Sequence, residues 1–394
     1  MTLNRQSLEK LVDERPNQGL FRIHRSIFTN EEIFELEMKH IFESNWVYLA
    51  HESQLPNNFD FITSFVGRQP VIINRGRDGS IGGFINSCKH RGAVVEQLSR
   101  GNKRAFMCPF HSWTYDSDGN LHSIGESETS GYSDNFCKKE LGLTRLAKVE
   151  SYRGFIFASL NPSVVPLGDY LGEAARCIDH IVDQDPNGNI RVLPGQQCYT
   201  FEGNWKLQAE NGVDGYHVDT IHGNYVQTIA NRQQLNTGKE KSKTVHVGGL
   251  DKQPGGFYTF ENGHVLLWTE WANPSVRPAY DCFDTYEKIY GTDRAAWMTS
   301  YLRNLFIYPN VFLMDQMSTQ IRTFRPLAVD KTEVRTFCFG PETESTQART
   351  RRIRQYEDFF NASGMATPDD LAAFNASQVG FNGRLVEWSD ISRG

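Results

Sequence analysis

A chain of 394 residues is too long for one ordinary hydrophobic core, so two domains are expected. Its net charge of −6 argues against nucleic acid or an anionic membrane as partner. The segment from Met1 to Phe21 carries Arg5, Glu9, Lys10, Asp13, Glu14 and Arg15 where a signal peptide would be apolar, and no apolar run approaches the roughly 18 residues of a membrane span, so a cytoplasmic protein is expected.

In chain order, Thr29 to Trp46 reads as the first helix, with Thr29 and Glu32 as a capping box and Ile33, Phe34, Leu36, Ile41 and Phe42 recurring near helical spacing. This N-terminal segment, 1–45, is expected to pack on a domain that comes later in the sequence. From Trp46 to Leu160 the texture changes to short β runs with turns at Asp78-Gly79 and Asp116 to Asn120. Beyond it, Leu167 to Val182 reads as helical, as does Asn204 to Glu210. The polar stretch from Arg232 to Gly255 reads as a loop or lid. Five strand-like runs between Val265 and Cys338 point to one sheet, followed by a helix from Thr346 to Phe360. Of seven Cys, the five outside the pairs described next (Cys137, Cys177, Cys198, Cys282 and Cys338) show no regular spacing and read as buried reduced thiols.

Within the β-rich part lies Cys88-Lys89-His90, and seventeen residues later Cys108-Pro109-Phe110-His111. Thiolate and imidazole together suit Zn or an iron–sulfur centre. Zinc modules usually pair Cys with Cys and His with His. Here each pair mixes the two, as in a Rieske [2Fe–2S] centre, where two Cys hold one iron and two His the other. The pairs are expected at the tips of β-hairpins, near the surface. A zinc ribbon and four unrelated residues are the competing readings.

Asp214, His217 and His222 form a second constellation. Residues five apart on an ideal helix differ by about 140° in direction, so the two His share a metal only if the helix loosens; Gly212, Gly215 and Gly223 offer that freedom. A two-His-one-carboxylate iron site also needs an acid. Pro368-Asp369-Asp370 contains candidates, although taken alone it reads as a helix start, with Thr367 capping and Pro368 at the first position.

With both constellations present, the chain resembles the large (α) subunits of Rieske non-haem iron aromatic-ring-hydroxylating oxygenases. It is most similar to the benzoate, toluate, anthranilate and 2-halobenzoate dioxygenase group, and the likeness runs over nearly the whole chain. It rests on Cys88-x-His90…Cys108-x2-His111 and Asp214-x2-His217-x4-His222, with Trp46 to Ser53 and Asn361 to Leu371 as group-like stretches. The resemblance implies an α+β fold: a small antiparallel β Rieske domain over 46–160, then a catalytic domain over 161–394 whose antiparallel sheet is flanked by helices (helix-grip-like). Cys88, His90, Cys108 and His111 would hold the [2Fe–2S] cluster, and His217, His222 and Asp370 a mononuclear Fe(2+), with Asp369 a helix-capping neighbour. Asn211 matches an Asn near the iron, and Asp214 a carboxylate that bridges a cluster His of one subunit to an iron His of the next. That arrangement implies a trimer, usually α3β3 with a small β subunit, and an NADH-dependent reductase that supplies electrons. Members of the group usually run several dozen residues past Gly394, so this chain is expected to stop short of their length.

The implied reaction adds both atoms of O2 to adjacent ring carbons of an aromatic carboxylate. Gly212 and Val218 should leave room for the ring, and Arg232, Arg277 and Arg303 are candidate anchors for the carboxylate. Benzoate, toluate, anthranilate and halobenzoates are all open as substrates. A salicylate-type monohydroxylase of the same family and a Rieske electron carrier without catalysis remain as alternatives.

Overall fold

The computed structural model describes residues 4–125, 131–133, 135–235 and 252–393. The chain divides into two compact units, one of residues 38–170 and one of residues 1–37 with 171–394. The smaller unit is antiparallel β. Its four-stranded sheet runs Ile81–Ile85, Gln69–Arg75, Asp60–Val66, Arg100–Asn102 in spatial order, and a three-stranded sheet joins Ala105–Met107, Trp113–Asp116 and Leu121–Ile124. Phe61, Phe84, Phe106 and Tyr115 form a core with Cys88 and Cys108, so the two thiols sit on buried aromatic packing. The turn Asp116 to Asn120 needs its glycine: Gly119 has φ +82°, and a Cβ there would stand 2.5 Å from the Phe84 ring.

The larger unit is built on an eight-stranded antiparallel sheet. Lys331–Pro341 pairs with both Ile190–Val192 and Gln197–Phe201 on one side and with Thr319–Ala328 on the other, and the order continues through Val311–Asp315, Tyr301–Ile307, Val265–Glu270 and Gly255–Thr259. Val311–Asp315 is buried along its whole length, as expected for a central strand covered on both faces. Helices Trp205–Asn211 and Thr346–Phe359 pack on Thr319–Ala328, and Thr367–Phe381 on Gln197–Phe201, which gives the expected helix-flanked antiparallel sheet. Residues 1–37 belong to this unit: Phe28 stacks on Phe381 at 4.3 Å, and Glu37 accepts from the Trp205 indole at 2.8 Å.

Several sequence expectations are corrected. The chain's first helix is Arg5–Glu9, and the helix expected over Thr29 to Trp46 is only Glu31–Glu37, capped by Asn30, whose Oδ1 accepts from Ile33 N at 3.1 Å; it passes into a wide turn at Met38–Phe42 well before Trp46. The Leu167 to Val182 helix is broken at Gly172, where φ is +48°. Arg232 stands in the helix Gly223–Leu235, and the remaining predicted loop, 236–251, lies outside the described residues. Of the five Cys expected as buried reduced thiols, Cys137 and Cys198 are exposed and Cys282 is half-buried, and none of the five forms a disulfide. Val12–Arg15, Leu20–His24 and Trp388–Asp390 form a sheet the pattern did not announce, because two chain ends must meet to make it. Among the described residues no helix is long and apolar enough to cross a membrane.

Candidate active site

The two Cys–His pairs sit on different kinds of loop. Cys108 to His111 is a hairpin tip between paired strands Ala105–Met107 and Trp113–Asp116. Cys88 to His90 lies instead in the long connection from Ile81–Ile85 to Arg100–Asn102, two strands that do not pair, so only one of the two expected hairpins exists. Each loop is pinned by its own Cys: Cys88 N donates to Ala93 O at 2.8 Å, and Cys108 N to Trp113 O at 2.8 Å.

The fold brings like with like. The His90 and His111 rings lie 4.5 Å apart, and His90 stacks on Trp113. Burial first, and the neighbouring Cys88 second, push the Cys108 thiol above its ordinary value. Among the described residues these four donors do not form a group of three or more able to hold one metal ion. A tetrahedral zinc site, with bonds of about 2.0–2.3 Å, needs that convergence; a cluster with two Cys on one iron and two His on the other does not. His90 Nδ1 is buried without a hydrogen-bond partner, which also suits a nitrogen that binds a metal. The Tyr115 hydroxyl accepts from Lys89 N at 3.1 Å and lies 3.2 Å from Cys88 Sγ, within reach to donate to a thiolate there.

In the larger unit, the helix Trp205–Asn211 is started by Asn204, whose side chain accepts from Lys206 N, and stops at Gly212. A short helix, Val218–Ile221, follows, with His217 immediately before it and His222 immediately after. The next helix begins at Gly223. This break resolves the 140° difficulty: each His occupies an end of one turn. Left-handed glycines are not the means, since Gly212, Gly215 and Gly223 all lie outside the positive-φ set. Gly212 serves close approach, because a Cβ there would lie 2.3 Å from the Phe312 ring. The ring for which it leaves room is therefore the protein's own.

Asp370 arrives from the first turn of Thr367–Phe381. Thr367 does not cap that helix; its hydroxyl donates back to Phe360 O at 2.8 Å. Asp369 makes no cap either, and its Oδ2 is buried without a partner. Asp370 Oδ1 lies 3.6 Å from His217 Nε2 and 3.5 Å from His222 Nε2. These separations are too long for hydrogen bonds and close to the spacing of about 3 Å or a little more that metal bonds near 2.1 Å impose. Asn211 Nδ2 sits beside the same atoms, 3.3 Å from Asp370 Oδ1 and 3.2 Å from His217 Nε2. Among the described residues these three side chains are the group able to hold one metal ion.

The electrostatics suit a cation. Burial pushes Asp370 up to about 6 against the opposing pull of His217 and Arg322. Burial, then the charges of His217 and Arg322, push His222 down to about 3, and its Nδ1 has no partner. Burial alone would lower His217, but its hydrogen bond to Asp214, Nδ1 to Oδ2 at 3.0 Å, and the charge of Asp370 carry it above its ordinary value. Asp214 is held below the carboxylate range, because bonds from His217 and Tyr216 N outweigh the burial that would raise it. A half-buried imidazole, a buried one and a buried carboxylate that converge without mutual hydrogen bonds are stabilised most simply by a shared ion.

All three donors open on a cavity of about 520 Å³ with apolar walls from Leu267, Leu302, Met314 and Phe359. Gly212 and Val218 are among the residues that line it. The three nominated arginines do not. Arg232 is half-exposed and pairs with Asp358 at 3.5 Å. Arg277 is 1% exposed and spends its donors on Gln316 O, Thr299 O and Asp315. Arg303 is bound to the other oxygen of Asp315, on the opposite face of the sheet from the lining residue Asn304. Among the described residues, the arginines on the lining are Arg322 and Arg393. Neither has a sequence signal: Arg322 sits in a strand whose pairing decides which way it faces, and Arg393 reaches the cavity from the far end of the chain.

A model of the Rieske [2Fe-2S] domain matches residues 45–141, and one of the ring hydroxylating alpha subunit catalytic domain matches 191–392. The chain is 47% identical over its whole length to the toluate 1,2-dioxygenase subunit alpha of Pseudomonas putida, covering 86% of that protein. It is 48% identical to the anthranilate 1,2-dioxygenase large subunit of Acinetobacter baylyi, over 97% of this chain and 82% of the other. Among solved structures, naphthalene 1,2-dioxygenase with indole in its active site superposes with TM-score 0.79 at 27% identity, over 94% of this chain and 82% of that one. The two loops of mixed ligands, the triad on an open cavity and these likenesses make one case, and the chain belongs to the family of Rieske ring-hydroxylating oxygenase α subunits.

Proposed function

We propose that this chain is the terminal oxygenase subunit of an aromatic-acid 1,2-dioxygenase, in which ring, O2, NADH and a proton give a cis-diol and NAD+. The carrying observation is that His217, His222 and Asp370 converge on one wall of a cavity and leave its remaining space open. A carrier of electrons alone has no use for such a site. The names of the toluate and anthranilate relatives support an aromatic carboxylate as substrate.

Cys88, His90, Cys108 and His111 are the proposed cluster ligands, and His217, His222 and Asp370 those of the iron. When bound, the cluster supplies single electrons and the iron(II) a place for O2. The chain's own residues do the positioning. Asp214 fixes the tautomer and direction of His217 through Nδ1. Asn211 keeps an amide beside the donors without a charge of its own. The apolar walls of Leu267, Leu302, Met314 and Phe359 suit an aromatic ring. Val94, Met107 and Phe110 stand exposed beside the two Cys–His loops. Large exposed apolar side chains at that place suit a surface covered by another chain, which supports the trimer, with Asp214 bridging subunits. A small β subunit, an NADH-dependent reductase and a cytoplasmic location complete the proposal.

The test is reconstitution with a reductase and a panel of benzoate, toluates, anthranilate and halobenzoates under labelled O2. Two labelled oxygens in the product are expected. One labelled oxygen makes the chain a monohydroxylase, and none on any aromatic acid removes the substrate assignment. A second expected result concerns the cluster. Tyr115→Phe removes a hydrogen bond worth about 1 kcal/mol to a sulfur, and so lowers the cluster potential by about 40–60 mV. Redox titration of the electron-spin-resonance signal measures it; an unchanged potential means the hydroxyl is not donated to Cys88.

A further inference from the structure

We infer that Arg322 is the residue that recognises the substrate carboxylate, an inference that rests on the aromatic-acid reading above. Arg322 lies in Thr319–Ala328, paired with Phe312 on one side and Thr336 on the other. It is 4% exposed and lines the same cavity as the triad. Its Nε donates to Gln320 Oε1 at 2.9 Å, and Gln320 is itself fully buried, so the guanidinium is held from one edge. Among the described residues, no acceptor or acidic group pairs with its two terminal nitrogens, and neither nitrogen is sealed off from the cavity. This contrasts with Arg277 and Arg303, whose charges are answered by Asp315.

A buried guanidinium with an unused fork is costly unless something completes it, and a carboxylate matches that fork in a bidentate way. Asp370 is not that partner. The Arg322 charge is felt at Asp370, yet the two form no ion pair. Nor does Arg322 help to hold a metal: one carboxylate against a dication leaves the centre positive, and a nearby guanidinium adds to that charge. An anionic ligand in the cavity relieves both. A flat ring carrying one carboxylate on Arg322 then extends along the walls of Leu302 and Met314 towards the triad. Arg393, the other cation on the lining, is exposed and lies over the Tyr216 ring at 4.0 Å, so its charge remains in solvent reach.

The experiment uses the iron- and cluster-loaded enzyme and compares benzoate with benzamide, which has the same shape without the charge. Equilibrium binding, KM and kcat are measured for wild type, Arg322→Gln, Arg322→Lys and Arg393→Gln, with iron per chain and the cluster spectrum as structural readouts. Arg322→Gln is expected to weaken benzoate binding and raise its KM by at least about 30-fold, with benzamide changed less than about 3-fold and iron content unchanged. Arg322→Lys keeps the charge but not the fork, and recovers part of the loss. An intact benzoate preference in Arg322→Gln overturns the inference. So does a fall in iron content with both ligands affected alike, or loss of the preference in Arg393→Gln alone. Should Arg322→Gln fail to fold, an undiminished benzoate preference in Arg322→Lys overturns the bidentate recognition by itself. Wild type that neither binds nor oxidises any aromatic carboxylate overturns the aromatic-acid reading as well, whereas wild type that does so confines any failure to Arg322.

Discussion

Asp214→Asn is expected to lower turnover by roughly 10- to 100-fold while iron per chain and cluster content stay at wild-type levels. The carboxylate has two attachments: Oδ2 accepts from His217 Nδ1 at 3.0 Å and Oδ1 from Tyr216 N at 2.6 Å. An Asn retains the shape and one accepting oxygen, so His217 stays near its present direction and the three converging donors survive. What disappears is the negative charge, which stabilises the imidazole and, in the proposed trimer, faces a cluster His of the neighbouring subunit. The side chain is 26% exposed, which leaves a face open to such a contact. Metal analysis, the cluster spectrum and NADH-coupled turnover on one preparation decide the matter. Loss of iron with turnover per iron unchanged would limit Asp214 to holding His217 and remove the bridging role.

The largest expected effect on stability is at Asp315. Its oxygens bind Arg277 and Arg303, all three side chains are about 2% exposed or less, and Gln184 Nε2 adds a bond to Oδ2 at 2.8 Å. Arg303 depends on it most, since its Nε and Nη1 are buried without partners. Asp315→Asn leaves two buried guanidinium groups without a counter-charge, and a loss of about 3–5 kcal/mol follows. Denaturant unfolding of the purified protein measures this as a shift of the midpoint. The pH dependence has a definite sign. Burial would raise the Asp315 carboxyl, but the two guanidinium charges hold it below its ordinary value. The stabilisation is therefore complete above the unfolded value of about 3.9 and is lost as pH falls through the lower folded value, where wild type and variant converge. A difference under about 1 kcal/mol at neutral pH would show that the arginines find other acceptors. The site has a stake in this network, because Met314 and Gln316, on either side of Asp315, line the cavity.

Much of the chemistry was legible in the residues alone. Mixed Cys–His pairs at close spacing restrict the metal, and His217 and His222 with Asp214 restrict the second centre, because ligand type and loop length are local properties. The strands between Val265 and Cys338 could be read for the same reason, because their apolar runs are local too. Asp370 was ambiguous: an acid after Pro368 is as good a helix start as a ligand, and only the packing of Thr367–Phe381 brings its Oδ1 to the two imidazoles. Gly212 lines the cavity, but its missing Cβ also admits the ring of Phe312, a hundred residues away in sequence, which no local reading could supply. The arginines were beyond local reading altogether. Strand register turns Arg303 towards Asp315 and Arg322 towards the cavity. Side chains alternate across a sheet, so a shift of one residue would exchange the faces. The sequence by itself determined which kinds of metal centre this protein is built to hold; the tertiary structure decided which carboxylate meets the two imidazoles and which cation faces the cavity, because both depend on contacts between segments far apart in the chain.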